Sequence, residues 1–316
     1  MKNVFIVGID NLDDIYDTTC IYINALLDNV KDCNYYILNK EEIIDERYVS
    51  VSKQHNNIYR DIYDYVVNNK LDNCYVYVFG NVYLLKFNKY YKLLKGLGCK
   101  FINHAFKEKK SNNLFDITIC NHPSLNKDEY KYIPYGINSK INDIPIELPK
   151  DYYLVYGIEN IELIIKEYLK ADIDKKLVIL SNFKDTQKYY VLDNKYNIID
   201  NENIYIYDLK DYKLLPTIAN HAYGFISTNM CNELCPYVLD IVANCKLNIL
   251  INNQFNQAIG LNSCIYFDDA NNSLKDILEH VENFSQSYIN ELGEEVNHRI
   301  QESFKLEEFV SSYQQL

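Results

Sequence analysis

Five residues stand where backbone N–H groups, hydroxyls or a carboxylate could meet a ligand. Pro236 begins a predicted helix, whose first N–H groups and positive dipole end suit a phosphate group. Asp240 lies one turn later, and its carboxylate could accept hydrogen bonds from hydroxyls or stabilise the dipole of its own helix. Gly157 and the pair Ser181–Asn182 end predicted strands, where parallel sheets bind ligands and where ordinary turns also occur.

Most short catalytic and binding motifs that can be recognised in a sequence are absent from this one. It contains no G-x-G-x-x-G, no G-x-x-x-x-G-K-[ST] and no G-x-S-x-G, so a dinucleotide enzyme, a P-loop ATPase and an elbow-type hydrolase are not indicated. His104, His122 and His221 are not at metal-ligand spacing, and Cys231 and Cys235 have no second pair nearby. We therefore expect neither a metal nor a cofactor. His104 follows a predicted strand, where it could act as a neutral hydrogen-bonding group or serve the core.

The elements that position these residues alternate between short apolar strands and helical patterns. This alternation predicts an α/β protein with parallel sheets covered on both faces. The segment Asn138–Lys150 has two prolines and no periodicity, and the alternation starts again after it. We therefore predict two Rossmann-like domains, 1–145 and 146–316, with the last helix able to cross back to the first domain. The cleft between such domains is the expected ligand site.

The composition and net charge of the protein limit the classes of molecule that it can bind. The 316 residues carry 32 Lys and Arg against 44 Asp and Glu, a net charge of −12, and only three of the 32 are arginines. This balance argues against binding to duplex nucleic acid. No apolar run reaches the roughly 20 residues of a transmembrane helix, and the scattered cysteines without C-x-x-C suit reduced thiols. We expect a cytoplasmic protein, with a peripheral position at the inner membrane face left open.

A set of short phrases in a fixed order gives the most specific signal. In chain order they are Phe115–Asn121, Lys131–Asn138, Asp151–Gly157, Lys176–Asn182, Tyr223–Ser227, Pro236–Asp240, Phe255–Asn256 and Ile265–Phe267. This order resembles the GT-B glycosyltransferases of the large retaining group that includes bacterial polysaccharide enzymes (glycosyltransferase family 4-type), and most of all its rhamnosyltransferase-like branch. The resemblance is clearest over 115–182 and 222–268.

The resemblance implies the GT-B fold and a metal-independent, retaining transfer of a hexose from a nucleotide-diphosphate sugar to a glycan, lipid-linked or protein acceptor. The acid matching Asp240 holds the ribose hydroxyls in such enzymes, and an acid before that helix contacts the donor sugar. Glu233 lies one residue from the matching place, which Asn232 occupies. The predicted catalytic residues are therefore Glu233 and His104. The predicted donor-binding residues are Gly157, Ser181, Asn182, Asn232, Pro236, Tyr237 and Asp240.

The sequence also departs from the family pattern. An Arg and a Lys that usually follow the first strand of the second domain, against the diphosphate, are missing, and Glu159 and Glu162 stand nearby. Lys184 and Lys188 are the nearest replacements. Two alternatives to an active transferase follow. One is a degenerate GT-B module that serves as partner subunit or scaffold of another transferase. The other is a phage-type enzyme that glucosylates DNA bases, which the net charge of −12 disfavours.

Overall fold

A computed structural model describes residues 1–9, 12–39, 43–79, 88–105, 114–121, 130–137, 141, 147–182, 186–229, 235–271 and 273–316. The described chain divides into two compact units. The first contains Met1–Gly136 together with the C-terminal segment Leu306–Leu316. The second contains Ile137–Cys231 and Cys235–Lys305.

Each unit is built around one parallel sheet. The strands are β1 Lys2–Val7, β2 Cys33–Asn39, β3 Val49–Ser52, β4 Cys74–Phe79, β5 Lys100–Ala105, β6 Ile117–Cys120, β7 Lys131–Tyr132, β8 Tyr152–Tyr156, β9 Lys176–Leu180, β10 Ile204–Tyr207, β11 Gly224–Ser227, β12 Asn248–Ile251 and β13 Ile265–Phe267. Within the described residues, the order is β3-β2-β1-β4-β5-β6-β7 in the first sheet and β10-β9-β8-β11-β12-β13 in the second. All of these pairings are parallel, as the alternation of strands and helices predicts.

The helices that the structure describes lie between strands, except for the last three, which follow β13. They are α1 Thr18–Asn29, α2 Ile58–Asn68, α3 Lys89–Gly96, α4 Ile161–Tyr168, α5 Gln187–Tyr196, α6 Leu215–His221, α7 Pro236–Val242, α8 Gln254–Gly260, α9 Ser273–Val281, α10 Gln286–Ser303 and α11 Leu306–Gln314. Side-chain caps start several of them, for example Asp17 before α1 and Asn253 before α8. No helix in the described ranges combines the length and apolar content needed to cross a bilayer.

The cores explain why the central strands are unbroken apolar runs in the sequence. Every residue of β4 and of β8 is buried, because both strands have neighbours on each side and helices on each face. In the second unit, Ile164 and Ile165 of α4 join strand residues such as Leu177 in one apolar cluster. Helix α11 packs close to the rest of the first unit, since a Cβ added at Gly136 would lie 2.9 Å from the Cα of Leu306. A glycine is therefore needed at that approach.

Two local features differ from what the sequence predicts. Strand β3 and helices α2, α5 and α8 are not among the predicted elements. Asp208 follows β10 directly and is predicted to cap the next helix, but it does not begin that helix. Instead, the side chain of Asp211 accepts the Lys213 N–H at 2.9 Å and caps a 3₁₀ turn, Tyr212–Leu214, which leads into α6. The segment 138–150, predicted as a linker, lies largely outside the described residues.

Candidate functional site

The carboxyl edge of the second sheet brings several predicted donor-binding residues together. Gly157 follows β8, and its N–H donates to the carbonyl of Leu180 at 2.9 Å. Ser181 follows β9 and is fully buried, and its N–H donates to the carbonyl of Tyr207 at 2.8 Å. Asn182 is exposed. Parallel strands end at the same edge, so these turns lie side by side at the position where open α/β sheets bind ligands.

Gly157 is a position where the backbone requires glycine. Its φ of +83° lies in the left-handed region, which residues with a Cβ rarely adopt. A Cβ built there would meet no atom within 4 Å in the part of the chain that the structure describes, so the space beside the main chain is open there. Asn160, just before α4, also has a positive φ of 45° and makes no side-chain cap. The loop 157–160 therefore presents main chain at Gly157 beside the exposed side chain of Glu159.

Asp240 is a buried acid held by a tyrosine from another element. Its side chain on α7 is 1% exposed, and Oδ2 accepts the hydroxyl of Tyr212 at 2.7 Å. The Asn244 side chain donates to the main-chain carbonyl of Asp240 at 2.7 Å. Tyr212 and Asn244 thus hold both the carboxylate and the main chain of Asp240 in place. Tyr212 was missed in the sequence, because its contact with Asp240 joins residues 28 positions apart.

Tyr237 packs against the end of β8. Its ring lies 4.8 Å from that of Tyr156, centroid to centroid, and the ring of Tyr212 meets Tyr156 edge-on at 6.3 Å. The side chain of Asn229 donates to the Tyr237 hydroxyl at 3.1 Å and contacts the thiol of Cys235. The three tyrosines thus connect the turn after β8 with the helix that carries Asp240.

Asparagines tie the loops after β11 and β12 to each other. The side chain of Asn253 donates to the carbonyl of Asn229 at 2.9 Å, and that of Asn256 donates to the carbonyl of Ile251 at 2.8 Å. The hydroxyl of Thr228 donates to the carbonyl of Glu159 at 2.6 Å, which fixes the loop after β8. Of these residues, the sequence pattern had pointed to Asn256 and Glu159. The asparagine-rich ends of β11 and β12 are the signal that could have found the others.

The helix predicted to hold a phosphate group begins at Pro236, as predicted. Helix α7 has seven residues, and Cys235 before it makes no side-chain cap. The phosphate contact at its first turn stays a prediction. The predicted sugar contacts Asn232 and Glu233 lie outside the described residues, as does Lys184.

His104 lies in the first unit, and its setting differs from the predicted one. It is 2% exposed, on a strand in the interior of the sheet, rather than facing open space. Its ring stacks on Phe79 with centroids 4.0 Å apart and is nearly parallel to Tyr313. Burial lowers the pKa of His104 to about 3, so the ring is neutral near pH 7. This placement favours a role in the core over contact with a substrate.

A chain of hydrogen bonds connects His104 with three other elements. The Asn121 side chain donates to the Tyr22 hydroxyl at 2.7 Å, and the hydroxyls of Tyr22 and Tyr313 lie 2.6 Å apart. The Tyr313 hydroxyl lies 3.3 Å from Nδ1 of His104, while Nε2 has no partner among the described residues. The order Asn121, Tyr22, Tyr313, His104 gives each of the two hydroxyl oxygens a donor and makes Nδ1 of His104 the acceptor. Tyr313 belongs to α11, so this network fixes the C-terminal helix to the first unit.

Near the carboxyl edge of the second sheet, some acidic side chains are paired with cations. Oε1 of Glu162 accepts Lys195 at 2.6 Å and the Tyr196 hydroxyl at 3.1 Å, and these hydrogen bonds lower its pKa. Glu162 is thus turned toward α5. Within the described part of the chain, no group of three His, Cys, Asp or Glu residues is arranged to hold a metal ion.

Comparisons with known proteins give a fold but no family. No family model and no curated protein matches the sequence. Among solved structures, sucrose-phosphate synthase from Thermosynechococcus elongatus is similar over 100% of this chain and 98% of its own, with a TM-score of 0.75 and 11% identity. HepE from Anabaena in complex with UDP is similar over 100% and 99%, with a TM-score of 0.73 and 7% identity. A trehalose-6-phosphate protein of E. coli bound with UDP-2-fluoro glucose covers 99% of this chain and 98% of its own, with a TM-score of 0.66 and 10% identity. The chain has the GT-B fold, as the phrases in its sequence had indicated.

Proposed function

We propose that this protein is a glycosyltransferase that moves a sugar from a nucleotide-diphosphate sugar to an acceptor. The observation that carries the proposal is the likeness, over the whole chain, to HepE, whose structures are complexes with UDP, with UDP and glucose, and with UDP-glucose. The carboxyl edge of the second sheet supports the same conclusion through the main-chain turn at Gly157, whereas the contact of the buried Asp240 with the donor comes from the sequence resemblance.

At the carboxyl edge of the second sheet, Asp240 suits the ribose of a nucleotide-diphosphate sugar, and the turn at Gly157 suits its diphosphate. The Asp240 carboxylate would accept the ribose hydroxyls, beside the hydroxyl of Tyr212. The turn at Gly157 would let the diphosphate approach the main chain, because no side chain of the described residues fills the space there. Both groups belong to the second unit, so the nucleotide half of the donor needs residues of that unit alone.

The finer features of the proposal come from the sequence resemblance. They are transfer with retention, no requirement for a metal, and a glycan, lipid-linked or protein acceptor. Catalysis would rest on positioning the donor and on stabilising the diphosphate as it leaves. Glu233 and Asn232 remain the proposed contacts of the donor sugar. His104, stacked in the core of the first unit, is not given a direct step.

Replacing Asp240 by Asn should weaken binding of a nucleoside diphosphate by about 10- to 100-fold, because a hydrogen bond to a charged group contributes about 1.5–3 kcal/mol. The test is titration calorimetry with UDP, dTDP and GDP, preceded by a thermal-shift panel that selects the nucleotide. Glu167→Gln is the matched control, since Glu167 is a fully buried acid of the same unit that pairs with Lys170 after α4. Equal affinities for the Asp240→Asn variant and the wild-type protein would limit Asp240 to a structural role.

One observation favours the alternative of a degenerate module acting as partner subunit or scaffold. The loop 157–160 carries Glu159 and no cation where the family places an Arg and a Lys. A carboxylate close to a diphosphate is repelled by it. If none of the three nucleotides or their sugars raises the melting temperature of the wild-type protein, the scaffold function replaces the enzymatic one.

A further inference from the structure

The loop after β8 poses a charge problem for the proposed donor site. A diphosphate carries at least two negative charges, and the described residues of this loop, Gly157 to Asn160, include no Lys or Arg. Glu159 is exposed there and adds a negative charge of its own. Glu162, the next acid, is paired with Lys195 at 2.6 Å and adds little to the local charge. A positive group must therefore come from another element if a diphosphate is to bind at Gly157.

Lys188, on the first turn of α5, reaches this loop. Its Nζ donates to the carbonyl of Ile158 at 2.8 Å, and Ile158 is the residue directly after Gly157. The contact spans 30 residues of sequence and holds the ammonium group next to the open main-chain turn. Lysine has three N–H donors, and the bond to Ile158 engages one of them. The Lys188 ammonium is also close enough to contribute to the lowered pKa of Glu162.

We propose that Lys188 is the cation that binds the donor diphosphate, supplied by α5 in place of the missing pair on the β8–α4 loop. This inference rests on the proposed function, because it assigns one residue of the same donor site. The Ile158 carbonyl positions the ammonium, and the phosphate oxygens would accept its other N–H groups. Lys188 contacts the donor and takes no proton, so it is a binding residue that also neutralises charge on the departing diphosphate.

The test compares a nucleoside diphosphate with its own nucleoside. Lys188→Ala should weaken binding of the best of UDP, dTDP and GDP by about threefold to tenfold, since an exposed lysine contributes modestly in water. Binding of the matching nucleoside should be unchanged. Lys188→Arg should keep most of the affinity, and the affinity of the wild-type protein should fall more steeply with salt than that of Lys188→Ala.

Lys176→Ala serves as the control, because it removes one positive charge from the other end of β9, where the lysine bonds to Asn203. An equal loss of affinity in both variants would mean that only the net charge of the protein matters, and would overturn the assignment. So would equal losses for nucleotide and nucleoside. Suppose that the wild-type protein binds the nucleotide and that Asp240→Asn weakens this binding, but Lys188→Ala does not. The assignment of Lys188 to the diphosphate is then wrong, while the proposed function stands. If the wild-type protein binds no nucleotide, both the assignment and the proposed function fail.

Discussion

Moving the wild-type protein from pH 7 to pH 4 should lower its free energy of unfolding by about 3 kcal/mol more than the same change lowers that of a His104→Phe variant. The difference comes from one imidazole. His104 lies 2% exposed between Phe79 and Tyr313, where burial lowers its pKa from 6.5 to about 3. The groups around the ring are the hydroxyls and rings of Tyr22, Tyr77 and Tyr313, which are neutral at these pH values.

The sign follows from which state binds the proton. Below pH 6.5 the imidazole is protonated in the unfolded chain, whereas in the folded protein it stays neutral until about pH 3. The unfolded state therefore binds more protons over this interval, and stability is lost as the pH falls, at about 1.4 kcal/mol per pH unit well below pH 6.5. The loss is complete near pH 3, where the folded protein also binds the proton.

Urea unfolding at pH 7 and pH 4 measures this effect, and both values lie away from the isoelectric point near 5.0. Subtracting the pH effect on the variant from that on the wild-type protein removes the contribution of the other titrating groups. Phenylalanine keeps the stacking on Phe79, and the Tyr313 hydroxyl keeps its bond to Tyr22. His298→Gln, which changes a histidine that is 75% exposed on α10, should behave like the wild-type protein. If wild-type and His104→Phe proteins lose the same free energy, His104 takes up its proton in the folded state.

Much of the fold could be predicted because each central strand is an uninterrupted apolar run, which is a local pattern in the sequence. The apolar runs Cys74–Phe79 and Tyr152–Tyr156 predict strands with the bounds that β4 and β8 have, and both strands are buried along their full length. The elements that were missed lack this signal. Strand β3 is a four-residue edge strand, Val-Ser-Val-Ser, with one buried residue. Helix α5 buries only Tyr189 and Leu192, so its sequence shows little apolar periodicity.

The candidate site could be located from the sequence, but its contacts could not. Strand ends at Gly157 and Ser181 identify the edge, because parallel strands must end together. The bond between Tyr212 and Asp240 depends on how α7 and the turn before α6 meet, and no local pattern encodes that. His104 shows the opposite error. A histidine at the end of a strand looks available, and only the distant Tyr313 reveals that it is covered.

The C-terminal helix should be indispensable to the first unit, so that Phe309→Ala lowers the free energy of unfolding of this unit by about 3–5 kcal/mol. Phe309 is fully buried and meets Tyr22, Tyr135 and Tyr313 at ring distances of 5.6, 6.2 and 5.1 Å. A Cβ added at Gly136 would lie 2.9 Å from that of Phe309, which leaves little room for neighbours to refill the space. The cavity adds to the lost transfer free energy for this reason.

Hydrogen exchange at the amides of β4 and β5, read by mass spectrometry, reports on the first unit directly, since both strands lie in its sheet. Exchange there should become about 100- to 1,000-fold faster or more in Phe309→Ala, whereas Gln315→Ala, an exposed change just past the end of the same helix, should leave it unaltered. Phe309→Leu should fall between the two, because it keeps part of the buried volume. A change of less than tenfold in Phe309→Ala would mean that α11 covers the first unit without forming part of its core. The hydrogen bonds of Tyr313 with Tyr22 and His104 would then hold α11 in place without help from the Phe309 ring.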